Sequence, residues 1–341
     1  MFKHRDYRVV QLRNGDDDRW RETLVLIPRG GSAPPLEGEL ANAVVVETPA
    51  RSIATNAVSD LSRLRALGLA DRLVGIPTAA VYDDETHRRW EAGELTLIGH
   101  PGHGQPNLEA LLAASPDLTL LLSTAPEHAY GLRRLRDLGL VAAPSYAFSE
   151  KTFLGQAEWM LYIALFFDAE DAARRELDGM VARYRALSQR ARDAAGDSPP
   201  VAFWGGPAGG NRWWVESNGP EAGLLRDAGA VNALADPSAG PFATLDTASV
   251  LEAAAEADLW VTSALDERDW DRRVPVERFA AYRAGRVFHN RKRVRLERDG
   301  WDWNETAISR PDLALADLVA LLHPELLPNH ESHFFAPVRR R

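Results

Sequence analysis

Two Rossmann-like α/β lobes joined by a long connector helix are the fold class that the sequence predicts, and three observations predict it. From Ala43 onward, short β-branched runs alternate with helical patterns, the signature of a mostly parallel sheet covered by helices. After Val201 the same helix-to-strand units begin again in the same order, and between the two sets runs one amphipathic pattern with no strand in it. At 341 residues the chain is also longer than one core usually organises. The reading divides it into an N-terminal lobe over residues 1–150, connector helices over 151–199 and a C-terminal lobe over 200–341.

In the first lobe, Val44-Val45-Val46, Leu73 to Ile76, residues 95–98 and Leu118 to Leu122 are the candidate strands. Leu61, Leu64 and Leu67 before Gly68 read as an amphipathic helix stopped by a C-cap glycine, and Leu132, Leu135 and Leu138 before Gly139 repeat the device. The second lobe echoes these units. Leu224-Leu225-Arg226-Asp227-Ala228-Gly229 parallels Leu64-Arg65-Ala66-Leu67-Gly68, and the stretch 249–258 before Leu259-Trp260-Val261 parallels 108–117 before Leu118-Thr119-Leu120. The stretch 279–285 before Arg286-Val287-Phe288 parallels 132–139 before Leu140-Val141. Three matched units in one order point to two similar lobes. In the connector, Leu177, Met180, Val181, Tyr184 and Leu187 fall at i, i+3, i+4, i+7 and i+10, with charged residues filling the other face. Asp168 is the expected N-cap, and Gly196 before Pro199-Pro200 ends the run. About 27 residues at 1.5 Å each make a rod of roughly 40 Å.

Composition excludes several classes of function. A net charge of −9 does not supply the basic face on which phosphate contacts depend, so no nucleic-acid partner is expected. The absence of cysteine excludes disulfides, Cys-ligated zinc and thiol catalysis, and suits an oxidising compartment. No apolar run reaches the ~18 residues that a membrane span needs, and residues 1–13 are polar and charged rather than signal-like. The signal segment or lipidated cysteine of an exported protein would therefore lie outside this sequence. No G-x-S-x-G elbow, HExxH or G-x-G-x-x-G turn is present, and His330-Glu331-Ser332-His333 has the wrong spacing for a zincin. The alternative that remains on the enzyme side is a metal-assisted hydrolase or lyase using His100, His103 and nearby carboxylates between two lobes.

Several runs carry a family resemblance. Leu97-Ile98-Gly99, Pro106-Asn107-Leu108-Glu109-Ala110-Leu111-Leu112 and Pro116-Asp117-Leu118 resemble the periplasmic binding proteins of ABC importers for siderophores, haem and cobalamin, in the class with a rigid helical connector. Ala66-Leu67-Gly68-Leu69-Ala70-Asp71-Arg72-Leu73-Val74-Gly75 and Ala157-Glu158-Trp159 are two further stretches of that kind, and Arg310-Pro311-Asp312-Leu313 with Leu322-His323-Pro324-Glu325 is similar to one branch of the family. The resemblance extends over roughly residues 44–328. It implies a monomer, periplasmic or anchored outside a membrane, that captures a metal chelate between its lobes, performs no chemistry, holds no cofactor of its own and delivers the ligand to an ABC transporter permease. It also implies an acidic residue on top of each lobe that meets permease arginines, and the first-lobe one is Glu109. An exposed carboxylate near a helix N-terminus is suited to that contact. In the second lobe the sequence departs from the pattern: Ala248 or Ser249 stands where glutamate is usual, leaving Asp246 or Glu252 for the role.

Loops after strands are where such folds take their ligands. The run 203–210, Phe-Trp-Gly-Gly-Pro-Ala-Gly-Gly, reads as a glycine-rich loop that includes Trp204 and permits close approach of a bulky ligand. It leads into Arg212-Trp213-Trp214-Val215, where strand alternation sends Trp213 and Trp214 to opposite sides. Ten tryptophans are many for this length, and Trp301 and Trp303 sit in an aspartate-rich, turn-like run, which leaves two uses open for them, stacking on a flat chelate and structural packing. His100 and His103 share a Gly/Pro-rich loop and are candidate ligand contacts, with His289 the second-lobe histidine able to join them. Tyr82, Tyr146, Arg212 and Arg310 complete the candidate polar or cationic contacts.

Overall fold

Of the chain, the computed structural model describes residues 2–3, 6–14, 21–100, 106–124, 128–271 and 273–340. They fall into two units: unit 1 takes residues 1–150, 156–177 and 295–300, and unit 2 takes 151–155, 178–294 and 301–341.

Unit 1 is organised by a five-stranded sheet whose first strand is central. Ile53–Thr55 is followed by helix Val58–Ala66 and strand Leu73–Ile76, then by helix Asp84–Glu91 and strand Thr96–Leu97 on the same flank. Helix Leu108–Ala114 returns the chain to Leu118–Leu122 on the opposite flank, and His128–Asp137 leads on to Ala142–Ser145. Every pairing is parallel. The strand order thus reverses between Ile53–Thr55 and Leu118–Leu122, the point at which open α/β sheets form a crevice at their carboxyl ends. The helix caps follow the sequence chemistry: Asp83 accepts from the Thr86 amide at 2.8 Å, and Asn107 from the Ala110 amide at 3.1 Å. Gly68 and Gly139 take φ of 69° and 82°, the left-handed C-cap expected of them. Gly75 answers a different demand, because a Cβ there would stand 2.7 Å from Ala54 Cβ and 2.9 Å from Ile98 Cγ2.

Unit 1 also contains a four-stranded sheet, Phe2–Lys3, Arg8–Leu12, Glu22–Pro28 and Val44–Thr48, in which only the last pair is parallel. Val44–Thr48, read from sequence as the opening strand of the alternating series, belongs here instead. The parallel sheet opens with Ile53–Thr55, which is too short to stand out as a run. Leu24, Val25, Leu26 and Ile27 are all buried, so Glu22–Pro28 lacks the alternation that marks a half-exposed strand.

The sheet of unit 2 runs in the order Phe242–Asp246, Arg212–Glu216, Val201–Pro207, Leu259–Thr262, Val287–His289 and Ala336–Pro337, with Val231–Asn232 also paired to Val201–Pro207. The parallel core joins Val231–Asn232, Val201–Pro207, Leu259–Thr262 and Val287–His289. Arg212–Glu216 returns antiparallel, with Gly205 opposite Val215 and Gly206 opposite Trp214. The run read as a loop over 203–210 is therefore a strand through Pro207 and only then a turn. Its two aromatics face different cores. Phe203 packs with Trp213, Trp260 and Phe279, ring centroids 5.3 to 6.5 Å apart, whereas Trp204 packs with Trp303 and Phe335 at 5.2 and 5.7 Å. Ala336–Pro337 forms the edge beside Val287–His289. The segment leading to it is held by Asp317, fully buried, whose carboxylate accepts from the His330 ring at 2.6 Å and from the His333 and Phe334 amides.

The long amphipathic run is one helix, Glu170–Ala195, 26 residues or about 39 Å. Its residues through Leu177 count with unit 1 and those from Asp178 with unit 2. Asp168 does not cap it: that residue has φ of 53° and pairs with Arg8 at 3.1 Å, and the helix starts two residues later. Of the predicted apolar stripe, Leu177 is buried in unit 1, while Met180 and Tyr184 are buried in unit 2, the Tyr184 hydroxyl donating to Asp227 at 2.8 Å. Gly196 ends the helix with φ of 53°.

Candidate ligand-binding site

In unit 1 the carboxyl end of the central strand is locked by polar contacts at the point of reversal. Asn56 donates its amide to Leu120 O at 3.3 Å and accepts from the Leu122 amide through Oδ1 at 2.7 Å, which joins the two strands that bound the crevice. Thr55 donates its hydroxyl to Asp60 at 2.7 Å, and Asp60 pairs with Arg63 at 2.7 Å, both fully buried. Burial draws the Arg63 guanidinium below its ordinary range, opposed by the Asp60 charge beside it. The pair anchors the first helix and is not a ligand contact.

The predicted residues of unit 1 divide between core and surface. Tyr146 is buried, with Trp159 edge-on at 6.1 Å, and burial followed by the Glu22 charge raises its phenol well above the usual range. Tyr82 is half-buried beneath the Arg295 guanidinium, 4.8 Å from the ring centroid. Arg295 and Arg298 both pair with Asp84, and Arg298 also donates to the Val81 and Tyr82 carbonyls. His100 is half-buried, and His103 lies outside the described residues. Glu109 is exposed in the first turn of Leu108–Ala114, as a docking carboxylate requires.

In unit 2 the carboxyl ends of the parallel strands carry Gly206, Thr262, His289 and Asn290. A Cβ at Gly206 would meet Thr262 Oγ1 at 2.8 Å, so the backbone stays bare there. His289 accepts the Arg291 amide on Nδ1 at 3.2 Å, and burial, then Arg291 and Arg339, hold its pKa down at about 4. The ring is neutral at pH 7. Asn290 is buried, its Oδ1 finds no partner among the described residues, and its carbonyl accepts the Trp301 indole N–H at 3.0 Å. Trp301 is half-buried, with the Arg291 guanidinium 5.0 Å from its ring.

The other predicted aromatics separate by burial. Trp204, Trp213 and Trp303 are 1%, 0% and 3% exposed, each ringed by aromatic neighbours, and present no free face. Trp303 enters the core because the run after Asp299 is not a turn: Gly300–Trp301 pairs with Val294–Arg295, and Trp303–Ala307 forms a π-helical turn. The acidic neighbour Asp302 goes inward with it, supported by Arg293 and Thr306. Trp214 is 40% exposed, so alternation in this strand buries one indole and leaves the other at the surface. Arg212 is exposed, and Arg310 is engaged by Asp312 in a two-pronged pair at 2.9 and 3.1 Å. Ala248 and Ser249 lie in the first turn of Thr247–Ala254, capped by the exposed Asp246, which accepts from the Ser249 amide at 2.8 Å. Thr262 and Asn290 escaped the sequence reading. The signal for them was position, immediately at the ends of parallel strands, rather than residue type.

A concavity of about 430 Å³ in unit 2, lined by Ala194, Ser198, Asp258, Arg286 and His323, opens beside the amino ends of those strands. It is at the wrong end of the sheet for a crevice ligand. Among the described residues, no three His, Asp or Glu side chains converge as a metal centre requires, and no helix is long and apolar enough to cross a membrane.

Comparison with known proteins places this geometry. The chain is 25% identical over 149 residues to the uncharacterized lipoprotein MJ0872 of Methanocaldococcus jannaschii, covering 42% of this chain and 36% of that one. It is 22% identical over 260 residues to MJ0878 of the same organism, covering 74% and 59%. The matches thus span only part of the length of those curated relatives. Among solved structures, the haem-binding protein RhuT of Roseiflexus superposes with a TM-score of 0.61 at 18% identity, covering 80% of this chain and 98% of its own. The vitamin B12 binding protein BtuF of Vibrio cholerae gives 0.56 at 19%, covering 83% and 99%. The siderophore binding protein BauB, solved with two acinetobactin molecules and ferric iron, gives 0.62 at 14%, covering 93% and 99%. The family model described as periplasmic binding protein matches residues 53–294, from the central strand of the first parallel sheet to the ribbon beyond the last parallel strand of the second, and on that match the chain belongs to the periplasmic binding protein family.

Proposed function

We propose that this chain is the extracytoplasmic binding protein of an ABC importer, and that its cargo is a metal chelate of the haem, cobalamin or ferric-siderophore kind. The observation that carries the reading is the family match across both parallel sheets. The ligands named for three structural relatives, haem, vitamin B12 and a ferric siderophore, give the cargo class. The metal travels inside the cargo, so the protein needs no metal ligands of its own. The family match also sets aside the hydrolase or lyase reading, since a binding protein releases its ligand unchanged.

Trp301, Tyr82 and His100, all half-buried, and Trp214, exposed, remain the ligand contacts, with exposed Arg212 able to meet acidic groups of a chelate, whereas Arg310 is held by Asp312. Trp204, Trp213, Trp303 and Tyr146 support them from the core. Glu109 is the docking carboxylate of unit 1, and Glu252, exposed on Thr247–Ala254, is the unit 2 residue free to play the same part, since Asp246 is engaged as a cap. The protein works as a monomer, anchored outside the membrane as the lipoprotein names of its relatives suggest. Titration with haem, cyanocobalamin and ferric siderophores, followed by tryptophan fluorescence, tests the reading: saturable quenching by one class with the ligand recovered intact is expected, and no saturable response to any of the three overturns it.

A further inference from the structure

Strand Arg212–Glu216 turns one face to the buried aromatics Phe203 and Trp260 through Trp213 and Val215, and the other carries Trp214 and Glu216, two residues apart. Phe242 lies directly opposite Glu216 on the neighbouring antiparallel strand and so shares that face. Trp214 and Phe242 are 40% and 54% exposed, with ring centroids 5.5 Å apart. Two large aromatic rings side by side at a surface are costly in water unless something covers them. Beside them Glu216 is only 5% exposed, yet among the described residues nothing hydrogen-bonds its carboxylate. Glu221, from the first turn of Pro220–Asp227, is the second acid. It is half-buried, and burial raises its carboxyl while the indole of Trp303 opposes that rise.

These two carboxyls differ from Asp60, Asp302 and Asp312, which each face an arginine, and from Asp317, which meets the His330 ring and two backbone amides. No guanidinium or ammonium group among the described residues acts on Glu216 or Glu221, and no hydrogen bond joins the two acids. Burial first and the Glu221 charge second push Glu216 up to about 9, so at neutral pH the pair retains a proton that a cation would displace. An unpaired buried acid is an unfavourable choice for stability alone.

We propose that Glu216 and Glu221, together with the exposed rings of Trp214 and Phe242, form a subsite of unit 2 for the organic cation of a bound ligand, an alkylammonium or guanidinium group. The rings supply cation–π faces, and the carboxylates neutralise the charge. A bare metal ion does not fit: two carboxylates leave most coordination positions of a hard cation empty, and aromatic faces do not fill them. The proposal rests on the binding-protein reading above and adds to it the charge of the group that is held.

The test uses the full chain and follows its indole N–H signals by NMR, with tetramethylammonium as the cation and tert-butanol as a neutral molecule of the same shape. Tetramethylammonium is expected to shift the Trp214 and Trp303 signals saturably, and tert-butanol to leave them in place. Glu216→Gln and Glu221→Gln should each weaken cation binding by about tenfold, and Trp214→Ala by a similar factor. For the wild type, affinity should rise between pH 6 and 9 as the displaced proton becomes easier to lose, a trend absent from Glu216→Gln. Glu216→Gln should melt no lower than wild type at pH 8, which separates a lost subsite from a lost fold. Equal shifts with tert-butanol, or an unchanged Kd in Glu216→Gln, overturn the proposal. Haem, cobalamin and ferrioxamine B titrated into the same proteins keep the two readings apart: cation binding with no chelate binding removes the chelate cargo alone, and chelate binding with no cation response removes the subsite alone.

Discussion

His289 ends its strand with one ring nitrogen accepting a backbone amide and with Arg291 and Arg339 nearby. Its pKa of about 4 lies below the ~6.5 of an unfolded chain, so the folded form gains most above pH 6.5. That gain disappears as pH falls through 6.5 towards 4, on the order of 3 kcal/mol in all. His289→Gln is expected to flatten the decline of Tm across that window, and thermal melts from pH 7.5 to 4 check it. Trp204 and Trp301 separate packing from contact. Trp204→Ala should cost about 3–5 kcal/mol of stability, because its ring fills a core with Trp303 and Phe335. Trp301→Ala should weaken chelate binding with little change in the denaturation midpoint. The indoles also mark how far residue roles were legible. Alternation sent Trp213 and Trp214 to opposite sides, and burial, not spacing, shows that Trp213 is the core one. Spacing did not reveal that Trp303 is core, because the aspartates around it read as solvent-facing, whereas Asp302 is buried with Arg293 and Thr306. Glu216 follows the same logic: alternation assigns it to the face of Trp214, where an acid reads as solvent-facing, and only the packing shows that it is buried.

Elements defined by their own period were legible, and those defined by their neighbours were not. The helix Glu170–Ala195 and the stops at Gly68, Gly139 and Gly196 follow from spacing and from the left-handed φ that glycine tolerates. Ile53–Thr55 did not, although it is the central strand of its sheet, because three residues carry no measurable period. The loop expected at 203–210 shows the opposite error: its glycines suggested a turn, while Gly205 in fact lies where a Cβ would come within 2.6 Å of the Trp214 carbonyl oxygen, inside a paired strand. Gly75 obeys the same constraint in unit 1. Gly75→Ala is expected to destabilise the protein by about 1–3 kcal/mol, since the methyl group has only Ala54 and Ile98 to displace. A urea midpoint equal to that of wild type would mean that those strands separate more easily than their packing indicates.

For the molecule as a whole, two parallel sheets and a single long helix could be anticipated from the order of patterns, while strand order, which fixes the points of reversal, depends on pairings between distant residues. Import asks that capture and delivery be separable, and Glu109 offers the means to separate them. Glu109→Arg is expected to abolish uptake in cells while leaving the Kd for the chelate within about twofold, because the side chain is exposed on a helix start and a reversed charge there repels permease arginines. Transport assays and titrations on the same variant check it, and a parallel loss of affinity would remove Glu109 from the docking role.

The edge strand Ala336–Pro337 has a consequence for solubility. It covers the open side of Val287–His289, and Asp317 fastens the segment leading to it through His330, His333 and Phe334. Loss of that fastening would peel the cover away and bare a hydrogen-bonding rim along the second sheet. Neighbouring chains would find there a ready template for clumping.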